Sequence, residues 1–272
     1  MSAVSSGSIV LVGAGNMGGA MLSGWLKSGV PATSVFVIDP RPSDTMAAII
    51  SEAGATHLTS APEDMQAGIL FLAVKPQVME IVLPPLKALM GPQTVVVSVA
   101  AGKTIAFLES HLGPGAMVRA MPNTPAMVGR GITGAFANAT VTEVQRIQVQ
   151  GLLRVSGPVE WVESEPDIDA VTAVSGSGPA YVFYLVECMA EAGRKAGLPA
   201  DLAMRLARET VSGAGELLYQ SSDEAAKLRQ NVTSPGGTTA AALAVLMAED
   251  GMQPLFDEAV AAARAKAEEL AG

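Results

Sequence analysis

From Ser8 to about Pro122, short β-branched apolar runs alternate with stretches whose apolar residues recur at helical spacing. Runs at 9–12, 35–38, 69–74, 95–99 and 117–121 predict strands, and their alternation with helices is the rhythm of a parallel sheet built from βαβ units. The runs at 69–74 and 95–99 are almost continuously apolar, which predicts central strands covered on both faces. Between them, residues 78–89 predict a crossover helix. From Gly131 to Trp161 two shorter apolar runs flank a helix predicted over 142–153; they complete the sheet, in a strand order the sequence does not specify.

After Glu165 the strand signal ends and helical patterning continues to the C-terminus. Over 201–218, Ala203, Ala207, Val211, Ala214 and Leu218 recur four and three residues apart, one face of a helix. Small residues permit close helix packing. About a hundred residues with few aromatics make a thin core for a domain standing alone, so these helices are expected to pack against a second subunit. The chain therefore divides into a sheet-forming part, residues 1–164, and an all-helical part, residues 165–272, expected to pack against a second subunit. Pro166 and the acidic residues around it mark the change.

Gly13-Ala14-Gly15-Asn16-Met17-Gly18 follows the first strand directly and opens a helix through Met21, Leu22 and Trp25. In that context the glycines form a dinucleotide-binding fingerprint. Gly13 permits the tight turn, Gly15 lets backbone approach a pyrophosphate, Gly18 allows close helix–strand packing, and the helix N-terminus offers unpaired N–H donors. The ribose reader is expected about 20 residues on, at the end of the second strand, where Asp39 stands. An Asp there accepts from both ribose hydroxyls and disfavours a 2′-phosphate, which selects NADH. Arg41, aimed by Pro40, either pairs that phosphate and selects NADPH or is a solvated surface charge.

Composition narrows the partners. A formal charge of −9 and a pI near 4.8 argue against a nucleic-acid or anionic-membrane surface, since both need clustered Lys and Arg. Cys188 is the single cysteine, and with His57 and His111 it gives none of the usual zinc spacings. Residues 1–9 carry no basic residue, so they do not read as a signal peptide, and no apolar run approaches the ~18 residues that span a bilayer. A cytoplasmic protein is expected. The mean hydropathy of +0.36 fits Ala-rich helices destined for a core or a subunit interface.

Further segments fall in a fixed series: Leu72-Ala73-Val74-Lys75-Pro76, Ala100-Ala101-Gly102, Asn123-Thr124-Pro125, Ser175-Gly176-Ser177-Gly178-Pro179-Ala180-Tyr181 and Ser234-Pro235-Gly236-Gly237-Thr238-Thr239. In this order and spacing the chain resembles the pyrroline-5-carboxylate reductases, from residue 8 to the C-terminal helix. The resemblance implies an α/β fold: an N-terminal Rossmann-type domain with a mostly parallel sheet, followed by an all-α dimerisation domain exchanged between subunits. It also implies homodimers, often assembled into decamers, and NADPH more often than NADH, bound by residues 12–18, Val12 included, and by the 73–76 loop. Asp39 departs from many relatives, in which a small residue such as Ser stands there.

Loops at the carboxyl ends of parallel strands bind ligands in open α/β sheets, so Ala73, Val74, Lys75, Pro76, Ala100 and Ala101 are expected to flank the cofactor. In 234–239, Pro235-Gly236-Gly237 exposes backbone before a helix beginning near Thr239, and free N–H groups there suit a carboxylate. The expected substrate site is Ser234, Gly236, Gly237, Thr238 and Thr239; the resemblance gives Thr239 the hydroxyl nearest the imine nitrogen. Carbonyl reduction yields an alkoxide and usually needs a His, Lys or Tyr acid, yet no His lies beyond residue 111. A cyclic imine arrives protonated and leaves as an amine, so a neutral Thr suffices. The competing enzyme class, a β-hydroxyacid dehydrogenase, needs a helical Lys acid or base. Lys195 and Lys227 lack the Gly-and-Asn-flanked pattern for that role, and the 234–239 loop would be left unexplained.

Overall fold

The computed structural model describes residues 7–271; residues 1–6 of the stretch examined for a signal peptide lie outside the described residues. β1 (Ile9–Val12) leads through α1 (Asn16–Lys27) to β2 (Val35–Ile38), and α2 (Asp44–Ala53) leads on to a short β3 (Thr56–Leu58). The βαβ path continues with β4 (Ile69–Leu72), α3 (Met79–Leu86), β5 (Val95–Ser98), α4 (Ile105–Leu112) and β6 (Ala116–Pro122). It ends with β7 (Thr133–Ala137), α5 (Glu143–Leu153) and β8 (Val159–Trp161). The strand order is β3-β2-β1-β4-β5-β6-β7-β8. Neighbours are parallel except β6 and β7, which pair antiparallel with Arg119 opposite Phe136. The chain leaves β1 toward β2 on one side and returns as β4 on the other, so the order reverses beside β1, and open sheets bind ligands at such a reversal.

The period of two along the strands sorts the core into two layers. Ile9, Leu11, Val35, Val37, Ile69, Phe71, Val95 and Val97 meet Met21, Leu22 and Trp25 of α1 and Val149, Leu152 and Leu153 of α5. The alternate residues Val10, Val12, Leu70, Leu72 and Val96 meet Met79, Leu83 and Leu86 of α3 and Leu108 and Leu112 of α4. Burial on both faces explains why these strands are continuous apolar runs. The helix expected over 78–89 is divided: a 3-10 turn at Pro76–Val78 leads into α3, and a second at Lys87–Leu89 ends it. Pro84 and Pro85 lie in the last turn of α3, where two missing N–H donors weaken the α-helical ladder.

The helical part comprises α6 (Asp167–Val171), a π-helical turn (Thr172–Gly176), α7 (Gly178–Lys195), α8 (Ala200–Gln220), α9 (Ala225–Asn231), α10 (Thr238–Leu246) and α11 (Met252–Ala271). Packing divides the chain after Gly176: α6 and the π turn belong to the sheet's unit, together with the chain from Ala263 on, and Ser177–Ala262 form a second unit. Ile168 and Ala173 are fully buried in the first unit. Within the second, α7 and α8 approach closely where Gly193 faces Ala203. Ala203 and Ala207 of the small-residue face are buried, whereas Val211 is half-buried and Ala214 and Leu218 are exposed in the single chain. Ser177 takes the N-cap position of α7, though its hydroxyl makes no capping bond. No helix among the described residues is long and apolar enough to cross a membrane.

Trp25 ties α1 to α5. Its indole N–H donates to the Leu152 carbonyl at 2.9 Å in a buried site, and its ring meets Phe71 edge-on at 5.1 Å. Trp25→Phe keeps the ring contact and leaves that carbonyl without its donor, so unfolding in urea should show a loss of about 1–3 kcal/mol. A loss within error of zero would mean that the hydrogen bond contributes nothing to stability.

Candidate functional site

The turn between β1 and α1 is built from close contacts. Gly13 has φ 88°, and a side chain there would also strike Val74 and the Ala73 carbonyl. A Cβ at Gly18 would overlap the Gly13 carbonyl and press on the Ala73 methyl. Two backbone hydrogen bonds fix the turn to its neighbours: Gly13 N–H donates to the Ile38 carbonyl at 2.9 Å, and Ala73 N–H to the Val12 carbonyl at 2.8 Å. Gly15, by contrast, is exposed, and a Cβ there would meet nothing within 4 Å. It occupies the N-cap position of α1 with no side-chain cap, and the first turn carries no acidic residue. The uncapped N–H donors of α1 thus open onto free space, as a bound pyrophosphate requires.

Asp39 closes this turn from the end of β2. One carboxylate oxygen accepts from Ala14 N–H at 2.8 Å and the other from Arg41 N–H at 2.9 Å. Its carbonyl meets the His57 ring nitrogen at 2.8 Å, so His57 serves the β2–β3 edge. His111 likewise contacts Ser110 and the Phe107 carbonyl on α4. A cleft of about 680 Å³ collects Gly15, Asn16, Asp39, Arg41 and Ser43. Ser43 was not singled out from the sequence; it caps α2 by accepting from Met46 N–H, and its signal was a Ser-Asp pair directly before an apolar-periodic segment. The donors, the open face over Gly15 and the cation at Arg41 fit a dinucleotide.

The other cofactor-site candidates sit at the ends of β4 and β5. Lys75 is exposed, and Pro76 begins the 3-10 turn, where its missing N–H costs nothing. The Ser98 hydroxyl accepts from Ala100 N–H at 3.3 Å; Ala100 is buried and Ala101 exposed. Sequence reading missed the charged cluster behind this loop. Arg119, on β6, is 1% exposed and donates to Asp169 at 2.7 Å, with Glu165 at 3.6 Å. Its signal was a lone Arg inside the apolar run Met117-Val118-Arg119-Ala120-Met121.

In the second unit, Ser234 and Gly237 close a turn, with Gly237 N–H donating to the Ser234 carbonyl at 3.0 Å. Pro235 and Gly236, the latter at φ 70°, match the Pro-Gly preference of a type II turn. Gly237 is the N-cap of α10, with no side-chain cap. α10 starts at Thr238, so the N–H groups of Thr238 and Thr239 belong to its first turn and have no intrahelical acceptor. Thr239 is half-buried and Thr238 exposed.

Gly15→Ala should leave unfolding of the free protein within about 1 kcal/mol of wild type and weaken reduced dinucleotide binding at least ~tenfold. Fluorescence titration beside a thermal melt measures both. Unchanged affinity would place the pyrophosphate elsewhere.

A family model described as pyrroline-5-carboxylate reductase dimerisation matches residues 165–270, and one described as NADP oxidoreductase, coenzyme F420-dependent, matches residues 8–102. The chain is 42% identical over 265 residues to the pyrroline-5-carboxylate reductase of Pseudomonas aeruginosa, covering 97% of this chain and 96% of that protein. Among solved structures it is similar to a pyrroline-5-carboxylate reductase from Coxiella burnetii, with TM-score 0.90 and 35% identity over 98% of this chain and all of that one. The Plasmodium falciparum pyrroline carboxylate reductase, solved with NADP bound, has TM-score 0.80 and 28% identity over 98% of this chain and 99% of that one. Both halves of the chain, the glycine turn and the helical part alike, are thus matched, and the chain belongs to the pyrroline-5-carboxylate reductase family.

Proposed function

We propose that the protein reduces the carbon–nitrogen double bond of 1-pyrroline-5-carboxylate to give L-proline, the last step of proline biosynthesis, using NADPH or NADH. The observation that carries this reading is the 42% identity over 97% of the chain, a span too long to leave out either the dinucleotide turn or the 234–239 loop. A β-hydroxyacid dehydrogenase would leave that loop without a task. The bound nicotinamide supplies a hydride; the rest falls to the chain.

Residues 12–18 hold the pyrophosphate on the α1 N-terminus. Asp39 and Arg41 face the adenosine ribose, and the 73–76 and 100–101 loops wall the nicotinamide. The turn at 234–237 and the first N–H groups of α10 hold the substrate carboxylate, and the Thr239 hydroxyl lies at the ring nitrogen. The substrate enters as a protonated imine. Hydride adds to its carbon, the former double-bond pair stays on nitrogen, and a neutral secondary amine results without an acid in the pocket. The chain's main catalytic task is alignment, because hydride transfer needs the reacting carbons about 3–3.5 Å apart.

A homodimer formed through the second unit is part of the same reading. Phe183, Tyr184, Leu217 and Leu255 are all more than 60% exposed in the single chain, apolar surface that a subunit interface would cover. Assembly of dimers into decamers and a cytoplasmic location belong to the same proposal, supported by the resemblance to the family. Light scattering should give a mass of at least two chains; a monomer at micromolar concentration would overturn the dimer.

The activity is tested by following the absorbance of the reduced nicotinamide with pyrroline-5-carboxylate, NADPH and NADH in parallel. Substrate-dependent oxidation is expected, and faster use of NADPH would assign the ribose end to Arg41, faster use of NADH to Asp39. Folded protein that binds nucleotide and oxidises neither would sink the proposal. Thr239→Ala should lower kcat roughly tenfold or more while nucleotide affinity stays unchanged; equal loss of both would remove Thr239 from the substrate site.

A further inference from the structure

The stretch from Val99 to Thr104 joins β5 to α4 and carries the 100–102 loop. At its start, Val99 N–H donates to the Leu72 carbonyl at 3.1 Å. At its end, Ile105 N–H, the first of α4, donates to the Glu165 carboxylate at 2.7 Å. The Thr104 hydroxyl accepts from Phe107 N–H, so α4 has two side-chain acceptors at its N-terminus, one of them an anion favoured by the helix dipole. Glu165 comes from a segment 60 residues away in sequence, just before α6.

Arg119 stands behind Glu165. It pairs in register with Ser98, the last residue of β5, and is held by Asp169 at 2.7 Å with Glu165 at 3.6 Å. Its Nε is buried with no partner. A buried ion pair left partly unsatisfied adds little net stability over an apolar residue of the same volume. Stability alone therefore gives no reason for a charge here, at the carboxyl end of the sheet beside the loop.

We propose that Glu165 is a positioning residue: backed by Arg119, its carboxylate holds the start of α4 and so fixes the 100–102 loop against which the nicotinamide ring is seated. This rests on the reading of that loop as the nicotinamide wall. Its effect is local to one end of the cofactor. The adenosine end, held by Asp39 and the α1 turn, does not depend on it.

The experiment titrates wild type, Glu165→Ala and Glu165→Gln with NADPH and, separately, with adenosine 2′,5′-bisphosphate, which lacks the nicotinamide. Glu165→Ala should weaken NADPH about tenfold and leave the bisphosphate within about twofold. Glu165→Gln, whose amide oxygen still accepts from Ile105 N–H, should recover most of the NADPH affinity. Glu165→Ala binding NADPH as tightly as wild type would overturn the proposal, as would equal losses for both ligands or a Gln variant as weak as Ala. Should Glu165→Ala not fold, Glu165→Asp carries the same expectation, because it withdraws the acceptor by one methylene. Nucleotide binding is read without substrate, so a wild type inactive on pyrroline-5-carboxylate would sink the proposed activity and leave this inference standing.

Discussion

Helix α1 begins so close to the strand before it that Gly18 has no room for a side chain, and the chain at the end of β4 crowds Gly13 in the same turn. Everything at the carboxyl edge of the sheet is referred to that contact. The Ala73 methyl packs on Gly18, and the Ala73 carbonyl and the Val74 side chain crowd Gly13, so the end of β4 is placed by the same turn. Asp39 brings the end of β2 to it through Ala14. Three strand ends are thereby fixed around one open residue, Gly15. Preorganised donors of this kind need no rearrangement when an anion arrives.

The second fixed point is of the opposite character. Arg119 lies buried in the sheet between Ser98 and Phe136, and a guanidinium there is tolerable only with Asp169 and Glu165 beside it. The arrangement binds α6 to β6 and, through Glu165, to the start of α4. Ile168 and Ala173, close by in sequence, are fully buried in the first unit. Apolar packing sets where the strands lie; the buried charges specify how the segments that follow them are held.

How much of this was legible in the sequence depended on the range of the determining contact. β1, β2, β4, β5 and β6 were readable to within two residues at either end, because burial on both faces writes itself as an unbroken apolar run. β3 was not, since Thr56-His57-Leu58 is an edge strand with two exposed residues. The antiparallel sense of β7 left no trace either, because alternation looks the same in both directions. The glycine turn was legible because its spacing is written in six consecutive residues, although most of its contacts reach Ile38, Asp39, Ala73 and Val74. Asp39 was found from spacing, but its grip on Ala14 and Arg41 was not. Arg119, Glu165 and Asp169 are separated by up to 50 positions, and no local pattern links them. The start of α10 was legible to within a residue, at Thr238 beside the expected Thr239, because Pro-Gly-Gly directly before it marks the turn.

The two-handed hold of Asp39 bears on how the coenzyme preference of such an enzyme can change over evolution or by engineering. Each carboxylate oxygen serves a different backbone donor, Ala14 N–H on the glycine turn and Arg41 N–H beyond β2. No uncharged side chain of that length offers two separate acceptors: an amide has one, and a hydroxyl is too short to span both. Under the proposed reading of the glycine turn as the pyrophosphate seat, removing the negative charge to welcome a 2′-phosphate therefore also unfastens part of that turn. Charge selectivity and loop rigidity are inherited together here, and a lineage that exchanges one must rebuild the other from residues elsewhere.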